Sequence, residues 1–312
     1  MRLQAAGGAL DAAGRRQLKA ALKQHGGALA GPLAGVLKKR MKFRLGFLSE
    51  CTLKSGVTLD PAVLGSPWWS TVEVLDVGWD DTLTRTAALP SLRELSGAIL
   101  RDDIRAWLPR PRLTSLSVLP GGESNALAAR VRAILDARDL LPALTSLELV
   151  VTRRSLIGGA PALLDGELAG QIKHLGVYGT AGATRFLAVD GVGQQRHDRA
   201  FIELLIAQLP ALERWPSLVS VGANIVYGGG APVRYVVERG VGGRRVNVVA
   251  AGQLHGWWRV LADNLGFLAG GLSAGDTLAV TAKVDDPAAW LAPVEAAAAS
   301  GVVLDISGVR QR

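Results

Sequence analysis

Residues 141–150 read LPALTSLELV, and the reading of these ten residues decides the fold. In extended backbone alternate side chains share a face. Leu147 and Leu149, entered through Leu144, then point into one core, while Ser146 and Glu148 point the other way. Aligning the chain against itself finds the pattern again. Residues 89–96 read LPSLRELS, residues 108–117 read LPRPRLTSLS with two extra residues, and residues 209–212 begin LPAL. STVEVLDVG (70–78) and GQIKHLGVYG (170–179) keep the apolar positions without the proline. The leading apolar residues Val72, Leu92, Leu113, Leu144 and Ile172 are spaced 20, 21, 31 and 28 apart. A unit of roughly 20–30 residues whose length varies on one side predicts a solenoid.

Amphipathic segments fill the intervals. ESNALAARVRAILDARDLL (123–141) places apolar side chains at 127, 131, 134 and 135, with Ser124 or Asn125 as the cap. RDDIRAWLP (101–109) and ALLDGELAGQI (162–172) are shorter versions. A proline after each helix stops it and turns the chain into the next strand. The expected architecture is an α/β solenoid with parallel strands on its concave face and helices outside.

The LxxLxL core resembles the leucine-rich repeat superfamily in a degenerate α/β horseshoe form, over about residues 60–230. The asparagine or cysteine that such repeats carry after the last leucine is replaced here by Val151, Leu119 or Gly179, which implies irregular loops. A helix, then QHGGALAGPLAGVL (24–37), a basic stretch and FRLGFLSECTL (43–53) is similar to the entry of bacterial cytosolic leucine-rich repeat proteins with a short helical N-terminal cap. That resemblance implies architecture and carries no activity.

Charge divides the chain. Residues 1–54 hold eleven Lys and Arg against Asp11 and Glu50, a net +9, so the remainder of a chain of net charge +8 is close to neutral. Residues 11–25 read as a helix with Leu18 and Leu22 on one face and Arg15, Arg16, Lys19 and Lys23 opposite. Gly26-Gly27 is expected to end it, Pro32 to open a second helix reaching Arg40, and FRLGFLSECTL to form a strand with Phe43 and Phe47 in the core. Three regions result: a basic cap and first strand over 1–54, the repeats over 55–230, and C-terminal α/β repeats and cap over 231–312. In the last region VRYVVERG, RRVNVVAAG, TLAVTAKV and GVVLDISGV read as strands, expected to continue the parallel pairing.

Chemistry is harder to find. The one cysteine, Cys51, excludes an intrachain disulfide framework and fits a reducing cytosol. No apolar run approaches the roughly 20 residues of a membrane helix, so a cytoplasmic protein is expected. YGGGAP (227–232) lacks the Gly-Lys-Ser/Thr ending of a phosphate loop, and Arg196 stands where DGVGQQRHD (190–198) would need a third glycine. His25, His174, His197 and His255 show no metal-ligand spacing, and His197-Asp198 reads as a polar helix start. Asp80-Asp81, Asp102-Asp103 and Asp285-Asp286 read as helix starts, and Cys51 as a buried small residue. The pairs Trp68-Trp69 and Trp257-Trp258 should each expose one member. No cofactor, metal or catalytic residue is expected.

The expectation is a non-enzymatic scaffold that binds another protein on the concave sheet, through Asp76, Glu94, Ser96, Ser115, Ser117, Ser146, Glu148, His174 and Tyr178. That row is polar, mildly acidic and free of lysine. The alternative is nucleic-acid or anionic-surface binding through Lys38, Lys39, Arg40 and Lys42.

Overall fold

A computed structural model describes residues 11–39, 41–78, 82–100, 104–120, 127–151, 168, 170–180, 202–203, 205–210, 212–226, 232–240, 242–250, 258–284 and 301–311. Asp80-Asp81, Asp102-Asp103, Asp285-Asp286, the 190–198 glycine stretch, His197, His255, Trp257, Arg40 and the Ser124/Asn125 cap lie outside these residues, as do 227–231 of YGGGAP. The fold is α/β in two compact units, Met1–Gly121 with Ala137–Leu144, and Gly122–Asp136 with Thr145–Arg312.

In the first unit β1 (Lys42–Arg44), β2 (Phe47–Thr52), β3 (Val74–Asp76), β4 (Glu94–Leu100) and β5 (Ser115–Pro120) lie side by side in chain order. Only β1 and β2 are antiparallel. The second unit orders β6 (Ser146–Val151), β7 (His174–Thr180), β8 (Ser220–Val226), β9 (Pro232–Gly240), β10 (Gly243–Ala250), β11 (Thr277–Val284) and β12 (Val303–Gln311) in the same way. Leu75, Leu95, Leu116, Leu147, Leu149, Leu175 and Val221 are buried, and the polar residues between them alternate to the other face.

One backbone device enters these strands again and again. The N–H of the leading apolar residue donates to the carbonyl three residues back, Leu92 to Leu89, Leu113 to Arg110, Leu144 to Leu141 and Leu218 to Trp215. Two successive N–H groups then share one carbonyl of the preceding strand's entry. Thr114 and Ser115 donate to Arg93, Lys173 and His174 to Thr145, and Val219 and Ser220 to Lys173. The turn corrects the alignment. Its frame is LPSL at 89, RPRL at 110, LPAL at 141 and WPSL at 215, so residues 108–117 carry no insertion within the repeat. Residues 205–210 are helical, so the LPAL at 209 is not a strand entry; WPSLVSVG is.

Three other expectations change. The first helix, α1 (Ala12–Ala30), runs through Gly26-Gly27 and stops at Gly31, which has φ +55° and is followed by a 3-10 turn, Gly31–Gly35, in place of a second helix. Glycine in a helix costs about 1 kcal/mol, but Gly26 is buried and a Cβ there would lie 3.8 Å from the Phe43 ring, so packing holds the helix together. FRLGFLSECTL folds as a hairpin rather than one strand. Arg44 pairs with Phe47 around Leu45 and Gly46, both at positive φ (51° and 88°), as a type I′ turn requires. Phe47, at the hairpin tip, is exposed rather than core. Finally β9 is antiparallel to both β8 and β10. Five residues separate β8 from β9, and only Val241 and Gly242 separate β9 from β10. A parallel crossover needs about a dozen residues, so those gaps allow only hairpins.

Candidate functional site

The outward face of the second unit is written by register. Ser146, His174, Ser220 and Glu238 form one row, Glu148, Gly176, Gly222 and Val236 the next, and Val150, Tyr178, Asn224 and Arg234 the third. Two neighbouring glycines leave the centre of the middle row, between Glu148 and Val236, without side chains, and a trough of about 330 Å3 opens above them. Ser146, Glu148, His174, Ser220, Asn224 and Arg234 line it.

The glycines serve different ends. A Cβ on Gly222 would sit 2.9 Å from the Tyr235 carbonyl oxygen, so close approach of β9 demands glycine there. A Cβ on Gly176 would meet only the Glu148 side chain, at 3.4 Å, so this position is open. Glu148 leans over Gly176 and its Oε2 accepts from Asn224 Nδ2 at 3.1 Å, bridging the middle and third rows across β7. In the first row His174 Nδ1 lies 2.9 Å from Ser220 Oγ. Arg234 is exposed and faces no carboxylate at ion-pair distance among the described residues. The trough therefore offers a carboxylate held by an amide, an imidazole held by a hydroxyl, and a guanidinium open to a partner.

Beyond the trough the same face becomes a polar lattice. Asn247 Nδ2 donates to Glu238 Oε2 at 3.3 Å, Arg245 Nε to Asn247 Oδ1 at 3.1 Å, and Arg245 Nη2 to Asp305 Oδ2 at 3.2 Å. Ser307 donates to Asp305 through both its hydroxyl and its backbone N–H, and with Arg245 these bonds hold the Asp305 carboxyl below the usual range.

The sequence row is thus placed as follows. Ser146, Glu148 and His174 line the trough, and Tyr178 occupies the third row between Val150 and Asn224. In the first unit Glu94 pairs with Ser115, and Asp76 with Ser96, on the outward face of that sheet. Ser117 lies opposite a bulge at Ser96-Gly97, where Gly97 takes φ +70°. Ser220, Asn224 and Arg234 were not legible in that row. The entry to β8 carries Trp215 where other repeats carry leucine, and Arg234 joins the row only because β9 pairs antiparallel with β8.

Of the basic set, Lys38, Lys39 and Lys42 are exposed, and Lys42 Nζ pairs with Glu50 Oε2 at 2.6 Å. Cys51 is buried; desolvation first, and the Asp76 charge second, push its thiol up to about 12, so it carries no thiolate near neutral pH. Trp69 is buried, its indole N–H donating to the Val63 carbonyl at 2.7 Å, while Trp68 is exposed. No helix among the described residues is long and apolar enough to cross a membrane. Compared with family models, with curated proteins and with solved structures, the chain matches none.

Proposed function

We propose that the chain is a leucine-rich-repeat-like solenoid, strands lining its inner face and helices outside, that captures another protein on the polar rows of its strands. The observation that carries this reading is the trough over Gly176 and Gly222, a recess in an otherwise side-chain-covered sheet. A side chain of the partner enters it, with the surrounding polar groups fixing orientation, as in pockets that anchor interfaces. The partner's segment carries both a donor for Glu148 and an acid for Arg234.

Recognition fits the geometry better than bond-making. The His174–Ser220 contact sits on an exposed strand position, and among the described residues no carboxylate is hydrogen-bonded to the imidazole to orient it as a base. In the first unit Glu94 and the Asp76–Ser96 pair form polar positions of that unit's own outward face.

Filling the trough tests the reading. Gly176→Leu fills the recess, and the nearest atoms to its Cβ are those of the Glu148 side chain, at ordinary contact distance, so the thermal midpoint should stay within about 2 °C of the unmodified protein. Affinity capture should lose the proteins retained by the unmodified chain by tenfold or more, about 1.4 kcal/mol. The same set retained at the same level by Gly176→Leu would remove the trough as the site.

A further inference from the structure

We propose that the β1–β2 hairpin docks the protein peripherally on an anionic lipid bilayer, with Leu45 and Phe47 entering the boundary between headgroups and acyl chains. The hairpin belongs to the first unit.

It begins with two large apolar side chains where a hairpin normally ends in polar ones. Leu45 is 55% exposed and Phe47 57%. Leu45 also occupies the left-handed region at φ +51°, a position of a type I′ turn that Asn or Gly fills without strain. Folding alone accounts for neither feature. A third exposed apolar residue stands at the same end of β2. Trp68, 37% exposed, belongs to the turn Pro67–Thr71, whose Thr71 hydroxyl donates to the Leu48 carbonyl at 2.9 Å. Its ring packs on Gly31, where a Cβ would come within 2.8 Å of it, so the indole is held in place.

Leu45 and Phe47 belong to residues 1–54, which carry a net +9, while the remaining residues together are close to neutral. Lys42 and Arg44 flank the tip and hold Glu50 and Glu73 at 2.6 and 3.4 Å, which leaves the surplus on Lys38, Lys39 and the exposed Arg15, Arg16, Lys19 and Lys23 of α1. Apolar and aromatic tips beside basic side chains are the chemistry of an anionic bilayer surface, where the two terms act together. Duplex nucleic acid would use the charge but offers no apolar medium for Leu45 and Phe47 to enter. A second copy would bring the same positive charge and be repelled.

The test uses the full chain and sedimentation with phosphatidylcholine vesicles, with and without phosphatidylserine. Binding is expected only to vesicles containing phosphatidylserine, and it should weaken as salt rises. The double variant Leu45→Asn/Phe47→Ser should partition at least about tenfold less, with no fall in thermal midpoint, because Asn suits the turn. Lys38→Glu/Lys39→Glu should also weaken binding. Absence of binding at low salt overturns the proposal. So does a double variant that binds as well as the unmodified chain, or one that loses duplex DNA and vesicles in equal measure, since the tip would then not be a lipid contact.

Discussion

Leu147→Asp is expected to abolish cooperative folding of the second unit. Leu147 is fully buried in β6, paired with Leu175 of β7. Truncation to alanine costs roughly 2–5 kcal/mol at such positions. A carboxylate in the same place adds the cost of an unpaired buried charge, and a typical domain has only about 5–15 kcal/mol in hand. Ser146→Asp, one residue earlier, points to the outward face beside His174 and should cost less than about 1 kcal/mol. Thermal unfolding and near-UV circular dichroism of the two variants check the contrast. Equal tolerance of aspartate at both positions would mean that the strand register is wrong.

Arg110→Ala is expected to be nearly as damaging, although arginine is usually a surface residue. Arg110 is 2% exposed and occupies, in RPRL, the slot that Leu89 and Leu141 fill in the neighbouring repeats. Its Nη2 donates to the carbonyls of Thr84 at 2.6 Å and Ala87 at 3.0 Å, closing the C-terminal end of α2 (Thr82–Thr86). Its backbone N–H donates to Leu140 at 2.8 Å. Burial pulls the guanidinium down to about 10, and its Nε finds no acceptor, so the charge is held at a cost. Alanine takes the arginine donor from the Ala87 carbonyl, leaves Thr84 with the Leu108 N–H, and opens a cavity, together about 3–5 kcal/mol. Arg110→Met refills the volume and should recover the cavity part only. Urea unfolding should rank the unmodified protein first, then Met, then Ala. An alanine variant as stable as the parent would show that the side chain is not the cap.

Much of this was legible in residues 89–96 and 141–150, because period-two alternation and a proline turn leave a strong trace in sequence. The same template hid two repeats. Arg110 and Trp215 do the work of a leucine in the turn, and a search for leucine reads the first as an insertion and passes over the second. The antiparallel strands were legible in principle from the two-residue gap at Val241-Gly242. The alternating valines there specify a strand without its direction, and loop length was the deciding quantity. The trough was not legible from composition. It arises from Gly176 and Gly222 coming side by side across strands 46 residues apart, and only the register supplies that. Gly26-Gly27 shows the opposite failure, a strong local signal overridden by the packing of Phe43 against the helix.

The claim that the trough over Gly176 and Gly222 is where a protein partner is held is met most directly by site-specific photocrosslinking. A photoreactive residue replaces His174 in the trough, and in a control replaces the exposed Asp263 of α3 (Trp258–Gly270). The His174 probe should give a discrete crosslinked protein that is absent with the Asp263 probe and lost when Gly176→Leu is added. Crosslinks of equal pattern from both positions, or a His174 crosslink that survives the filled trough, would contradict it.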